Sequence, residues 1–363
     1  MFAVWSLVAV LISLLALALA LNQDGRRRGE SRSMAGERVL FGVLGDSDSA
    51  AYHDSIVFPA SGPQPGGEFH AITFQWPEVL AQIRAHQADL GEWAVWGVPR
   101  WLSMARVRDG LGLPWRGPQR ETHQHNLAWA SKSDSLTSGA WRQVQRLVDI
   151  MDEQPAHWRR GVVVIRSGVN NFGKVKALGA LAKNPDDPEV LATIASCVSR
   201  VRQAVRLIHK SHSDTRIVLV GILNNADWPP YFDLWQSRAE QVNLNRGLDH
   251  FDAALKEMAE HDPRLAFFDD RAWFAKHWGR RGADTGRPEY QPVRIGPGLL
   301  VTNTMGDSPE HAVLANGHAG LAWNVLWVQH LVDIVRNQFG VAIDGISDGE
   351  VQRFVEACIR ENR

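Results

Sequence analysis

The chain has 363 residues, of which 45% are hydrophobic and 22% are charged, a composition typical of a globular protein with a large core. Its 39 Lys and Arg residues balance 40 Asp and Glu residues, so no basic excess indicates a nucleic-acid partner. The two cysteines, Cys197 and Cys358, lie at apolar positions of helical patterns. This placement favours buried thiols over a disulfide scaffold or a metal site.

The N-terminus begins with an uncharged apolar run, residues 2–21, which Arg26-Arg27-Arg28 follows closely. The run has about the 20 residues that a membrane span needs, and Ala18-Leu19-Ala20 offers small residues for signal-peptidase cleavage. We therefore expect residues 1–21 to be a signal or membrane anchor and residues 22–37 to be a polar linker. The domain is then membrane-anchored or exported to the periplasm or cell exterior. The position of the basic cluster leaves a cytoplasm-facing anchor open.

From residue 38 to residue 340, short apolar runs typical of buried strands alternate with amphipathic helical patterns. Strands are predicted at residues 39–44, 125–130, 162–166, 217–223 and 265–269. Helices are predicted to begin near residue 74 and to cover residues 141–151, 190–208, 248–258 and 321–335. Such alternation is typical of an α/β sandwich on a mostly parallel sheet. Residues 341–363 are predicted to be a helical extension, whose helix begins at Ser347 with Glu350 completing a capping box.

Polar groups follow several of these predicted strands, at the sheet edge where active sites of open α/β folds collect. The first strand ends in Gly45-Asp46-Ser47, and the second ends in a segment that contains Ser131. The third ends in Ser167-Gly168-Val169-Asn170-Asn171, and Asp307-Ser-Pro-Glu-His311 precedes the closing helix. A hydroxyl, a Gly-Val-Asn turn and an Asp/His pair thus occur in this order along an alternating α/β chain.

These motifs, in this order over residues 38–335, resemble those of the SGNH (GDSL) hydrolases, serine esterases and lipases with a flavodoxin-like fold. The resemblance implies a three-layer α/β/α sandwich and a nucleophilic serine at Ser47. It also implies an oxyanion hole formed by the backbone N–H of Ser47, the side chain of Asn170 and a backbone N–H at Ser131. The family normally has glycine at the position of Ser131. A serine nucleophile needs a nearby base, and its oxyanion needs preorganised donors.

The base of the proposed triad has two candidates. The family's last motif is Asp-x-x-His, whereas this chain has Asp307 and His311 four residues apart. We predict His311 as the base with Asp307 as its orienting acid, keeping His318 as the alternative base and Glu310 as the alternative acid. Other residues near the motifs are expected to line the pocket: Asp46, Asp48, His53, Gly168 and His318.

The predicted activity is hydrolysis of a carboxylic ester, either an acyl or acetyl ester of a carbohydrate or a lipid, through an acyl-enzyme on Ser47. No metal or cofactor is expected, because His123 and His125 are followed by no third ligand at a suitable spacing. The expected partners are a small-molecule or glycan ester and, through the N-terminal segment, a membrane. The alternative is a catalytically degenerate binding or assembly protein, which the extra residue before His311 and the non-glycine Ser131 favour.

Overall fold

The computed structural model describes residues 38–58, 73–98, 117–139 and 141–361. Five strands form the central sheet: β1 (Val39–Gly45), β2 (Ala88–Asp89), β5 (Val162–Arg166), β6 (Arg216–Val220) and β7 (Leu265–Phe268). Their order is β2-β1-β5-β6-β7, and every neighbouring pair is parallel. Numbered within the sheet, this order is 2-1-3-4-5, which is the flavodoxin-like arrangement. The expected fold class is therefore confirmed.

Within the described ranges, five further strands lie outside this sheet. β3 (Trp93–Trp96) and β4 (Arg120–His123) form an antiparallel pair. A three-stranded sheet contains β8 (Val293–Ile295), β9 (Leu299–Met305) and β10 (His311–Val313).

Ten helices occur in the described ranges. They are α1 (Trp76–Ile83), α2 (Gln143–Met151), α3 (Pro155–Trp158), α4 (Val169–Phe172), α5 (Val175–Lys183), α6 (Pro188–Ser211), α7 (Arg238–His261), α8 (Asp270–Trp278), α9 (Leu321–Phe339) and α10 (Asp348–Glu361). α10 begins as predicted, because the Ser347 side chain accepts from the N–H of Glu350 and the Glu350 carboxylate accepts from the N–H of Ser347.

Two apolar cores cover the two faces of the sheet. Alternate residues of β1 point to opposite faces, so Phe41 and Val43 enter one core while Leu40 and Leu44 enter the other. The first core contains apolar residues of α1, α8, α9 and α10, and the second contains those of α2, α5, α6 and α7. Every residue of β1 is buried, as expected for a central parallel strand covered on both sides. These are the three layers of the sandwich.

Residues 125–130 do not form the predicted strand, although the segment lies beside β1. Leu127 donates its N–H to the carbonyl of Val43, and Val43 donates to that of His125, but the only bridge is between Val43 and Asn126. The N–H of Trp129 also donates to the carbonyl of Gly45, so the segment follows β1 to its end without forming a regular strand. The edge of Val39 and Leu40 is occupied by β2, a two-residue strand that the pattern does not reveal.

Much of the tryptophan content belongs to the core: Trp76, Trp158, Trp278, Trp323 and Trp327 are fully buried. Both cysteines are buried and neither is in a disulfide, as predicted. None of the described helices has the length and apolarity needed to cross a membrane. The apolar run at residues 2–21 and the linker at residues 22–37 lie outside the described ranges.

Candidate active site

The candidate nucleophile Ser47 begins a short 3₁₀ turn, Ser47–Ser49, directly after β1. The Asp46 carboxyl caps this turn by accepting hydrogen bonds from the N–H of Asp48 at 3.2 Å and the N–H of Gly168 at 3.3 Å. Burial raises the pKa of Asp46 to about 8, and the charge of Asp48 adds to the increase. Asp46 therefore connects the turn after β1 with the turn after β5.

The last residue of β1, Gly45, makes a close backbone approach to β5. A side chain at Gly45 would overlap the carbonyl oxygen of Arg166. The buried Gln143 amide from the start of α2 accepts from the N–H of Gly45 and donates to its carbonyl, both at 2.8 Å. The N–H of Trp129 donates to the same carbonyl at 3.2 Å. Three separate segments thus fix the point at which β1 ends and the Ser47 turn begins.

A buried ion pair lies beside this turn. Arg166, the last residue of β5, pairs with Asp270 at 3.0 Å and donates to the carbonyl of Asp48 at 3.1 Å. The second Asp270 oxygen accepts from Trp327 Nε1 at 2.9 Å, and the guanidinium lies 4.9 Å from the centre of the Trp327 ring. Burial opposes the charge of Arg166, but the neighbouring Asp270 and Asp48 carboxylates outweigh it and raise the arginine pKa. No short sequence motif marks this pair.

The two further oxyanion-hole candidates lie together. Asn170 is in α4, and its Nδ2 donates to the carbonyl of Ser131 at 3.1 Å. Next to them, the Asn171 side chain accepts from the N–H of Ser133 at 2.9 Å. Gly168, which precedes α4, has a φ of +136° that favours glycine. The turns after β5 and near Ser131 therefore meet at the sheet edge where Ser47 lies.

Asp307 and His311 do not form the expected pair. His311 begins β10, and its Nδ1 is 2.7 Å from the hydroxyl of Thr304 on β9. The Asp307 carboxylate instead accepts from the N–H of Ala315 at 3.0 Å, where it closes a loop. In the described structure no hydrogen bond or ion pair joins Asp307 to His311. The strand pairing of β10 with β9 directs His311 toward Thr304, which corrects the expectation drawn from the spacing.

His318, the alternative base, is the histidine that lies against the nucleophile segment. Its ring makes an edge contact with Tyr52, five residues after Ser47, with ring centroids 6.4 Å apart. Burial lowers the pKa of His318, the Asp48 carboxylate opposes this shift, and Lys174 adds to it. His318 Nδ1 is buried and has no hydrogen-bond partner within the described ranges. The imidazole therefore lies within the electrostatic influence of Asp48, and no carboxylate in the described part of the chain is bonded to it.

His53, a predicted pocket residue, is paired with a buried acid that sequence reasoning missed. Glu78 of α1 accepts from His53 Nδ1 at 2.8 Å. Its carboxylate also accepts from the backbone N–H groups of Tyr52, His53 and Gln75 at 2.8–3.2 Å. Gln75 in turn donates to the carbonyl of Ser47 at 3.3 Å. The N-terminus of α1 thus holds both ends of the segment from Ser47 to His53.

The site residues that the sequence analysis did not single out share one property, because each forms a hydrogen bond with a residue distant in sequence. The Tyr52 hydroxyl bonds to Ala319, 267 residues away, and Arg166 pairs with Asp270, 104 residues away. His318 was not missed, because the sequence analysis kept it as the alternative base. Across the described residues, no group of three or more His, Cys, Asp or Glu side chains is placed to hold a metal ion.

Comparison with known proteins identifies structural neighbours only. No family model matches the chain, and no curated protein matches it. The lipase Lip_vut3 from a goat rumen metagenome is 10% identical, with a TM-score of 0.36, over 82% of this chain and 97% of that chain. TesA and an extracellular lipase from Streptomyces rimosus are each 14% identical over 82% of this chain and 99% of theirs, with TM-scores of 0.30 and 0.35.

All three TM-scores are below 0.5, so the flavodoxin-like fold is established by the strand order and register of the chain itself.

Proposed function

We propose that the chain is a serine ester hydrolase in which Ser47 is the nucleophile and His318 is the base. The observation that supports the proposal is the edge contact between the ring of His318 and the ring of Tyr52, five residues after Ser47. A serine hydroxyl near a strand end, a neighbouring imidazole and an amide-rich turn at Asn170 are the groups that acyl transfer requires.

In the proposed reaction, Ser47 Oγ attacks the carbonyl carbon of the ester while His318 accepts the hydroxyl proton. The oxyanion that forms is stabilised by the N–H of Ser47 and by donors at Ser131 and Asn170. His318 then returns the proton to the departing alcohol, which leaves an acyl-enzyme on Ser47. Water attacks this ester in the same manner and releases the carboxylic acid.

Among the described residues, no carboxylate is bonded to the proposed base. The Asp48 carboxylate raises the pKa of His318 and would stabilise the imidazolium that forms during the reaction. The substrate class is a small carboxylic ester, with an acyl or acetyl ester of a carbohydrate or a lipid as the specific proposals. No metal or cofactor takes part.

The test is hydrolysis of p-nitrophenyl acetate together with labelling by a fluorophosphonate. We expect the purified protein to turn over the ester and to be labelled at Ser47, and Ser47→Ala to abolish both. Ser55→Ala is the matched control and is expected to retain both, because the Ser55 hydroxyl bonds to Glu121. Labelling at another serine, or none at all, would exclude Ser47 as the nucleophile.

A binding or assembly role on the same fold is the second candidate. The buried His318 Nδ1 without a partner favours it, because a triad normally has a carboxylate there. A folded protein that binds glycan or lipid esters but turns over none of a panel of short and long acyl esters would support this role.

For the N-terminal segment we propose membrane anchoring or export through residues 1–21. Cell fractionation with protease accessibility tests it: release of the domain into the soluble fraction without cleavage of this segment would contradict it.

A further inference from the structure

His318 has two protein neighbours that donate hydrogen bonds to the backbone on either side of it. Trp228 Nε1 donates to the carbonyl of Gly317 at 2.8 Å. The Tyr52 hydroxyl donates to the carbonyl of Ala319 at 2.9 Å. The carbonyl of His318 itself accepts from the N–H of Leu314 at 2.7 Å. Three consecutive carbonyls around the imidazole are thus bonded to fixed donors.

These bonds fix the direction in which the His318 side chain leaves the backbone. The carbonyls of Gly317 and His318 belong to the two peptide planes that meet at the His318 Cα, so fixing both planes fixes the direction of the Cα–Cβ bond. Tyr52 adds a contact to the ring itself, because its own ring lies edge-on to the imidazole.

Both donors are anchored independently of His318. The backbone N–H of Tyr52 donates to the buried Glu78 carboxylate at 2.9 Å, and the Tyr52 side chain is buried. Burial first, and the charge of Asp48 second, raise the pKa of the Tyr52 phenol, so it remains a donor. The Trp228 ring packs edge-on to the buried Trp323 of α9, with centroids 5.0 Å apart.

We propose that Tyr52 and Trp228 are positioning residues for the His318 imidazole, and that their hydrogen bonds to the flanking carbonyls replace the carboxylate that orients the base in a triad. The proposal rests on His318 acting as the base. It assigns to two neutral donors the orienting role for which sequence reasoning selected Asp307.

The kinetic test compares Tyr52→Phe and Trp228→Phe with Tyr231→Phe, using p-nitrophenyl acetate. Each of the first two variants removes one bond to the His318 loop, and we expect kcat to fall about tenfold while KM stays within about twofold. Tyr231→Phe removes a phenol that makes no hydrogen bond in the described structure, and it is expected to change neither constant. Because both donors fix one loop, the double variant is expected to lose less than the product of the two single effects.

A second measurement does not depend on activity. In ¹³C-histidine-labelled Ser47→Ala protein, the His318 ring resonance is assigned by its loss in His318→Gln. Tyr52→Phe is expected to shift or broaden this resonance and to leave the histidines distant from this loop unchanged. An unmoved His318 resonance with unchanged kcat would overturn the proposal.

The two tests also separate this proposal from the proposed function. If the parent protein hydrolyses no ester, the proposed function fails, whereas the His318 resonance still shows whether Tyr52 positions the ring. If Trp228→Phe does not fold, Tyr52→Phe alone decides, because it keeps the aromatic ring. A uniform change across all histidine resonances would indicate general unfolding and would contradict a specific positioning role.

Discussion

The turn that carries Ser47 and the loop that carries His318 are held in place by different kinds of interaction. Ionisable groups surround the Ser47 turn: Asp46 caps it, and Arg166, paired with the buried Asp270, bonds to the carbonyl of Asp48. The His318 loop is held by the neutral donors of Tyr52 and Trp228. Breaking a buried ion pair costs about 3–5 kcal/mol, whereas a neutral hydrogen bond contributes about 1 kcal/mol. The interactions around the Ser47 turn are therefore expected to contribute more to the stability of the fold than the two neutral hydrogen bonds to the His318 loop.

The strongest test of this comparison separates the two histidines. His318→Ala is expected to lower kcat/KM about 10²- to 10⁴-fold, because it removes the proposed general base. His311→Ala is expected to change kcat/KM less than about threefold, because His311 bonds to Thr304 on the small sheet. Steady-state kinetics with p-nitrophenyl acetate measure both. The reverse order of effects would restore His311 as the base.

The next test concerns the ion pair beside the nucleophile turn. Asp270→Ala leaves Arg166 buried without its carboxylate, and we expect the free energy of unfolding to fall by about 3–5 kcal/mol. Asp284→Ala is the matched control, because it removes an exposed pair with Arg238 and should cost less than about 1 kcal/mol. Urea unfolding measures both. Equal small losses would show that the turn does not depend on the buried pair.

A third test uses pH. Burial lowers the pKa of His318 below the ordinary 6.5, and a general base must be neutral, so kcat/KM should rise with pH through a pKa below 6.5. In that same interval the unfolded state binds more protons than the folded state, so stability also rises with pH. The pH–rate profile checks the first effect. Urea unfolding of His318→Gln, in which this contribution to the pH dependence disappears, checks the second. A rise of kcat/KM with pH through an apparent pKa above 7 would contradict the burial of a neutral imidazole.

The smallest expected effect belongs to Asp307. Asp307→Ala removes one exposed hydrogen bond to the N–H of Ala315, so the free energy of unfolding should fall by about 1 kcal/mol. Catalysis should change less than about threefold, as judged by kcat/KM beside a thermal melt. A hundredfold loss with an unchanged melting temperature would identify Asp307 as the orienting acid after all.

Local sequence patterns predicted the features that depend on local physics. The β-branched run Val162–Arg166 was predicted with its observed bounds, because a strand buried on both faces needs continuous apolar residues. Asn170 follows such a strand, and its side chain donates to the carbonyl of Ser131, with which the family resemblance had grouped it.

Local sequence patterns did not identify the proposed base in the same way. Asp307 and His311 have a spacing close to the family motif, but β10 pairing directs His311 to Thr304. The side chains of Tyr52 and Trp228 bond to the loop that contains His318, and both come from distant parts of the chain. Their effect depends on tertiary packing, which no local spacing encodes.

Gln143 illustrates how a side chain can substitute for backbone. Its primary amide presents one donor and one acceptor, as a peptide group does, and it exchanges both with Gly45 across 98 residues of sequence. A side chain at the start of α2 thus makes the two backbone hydrogen bonds that a neighbouring strand would make with Gly45. A carboxylate of the same shape at this position would set an acceptor against the carbonyl of Gly45. The neutral amide of Gln143 is therefore needed for β1 to end at Gly45, next to the Ser47 turn.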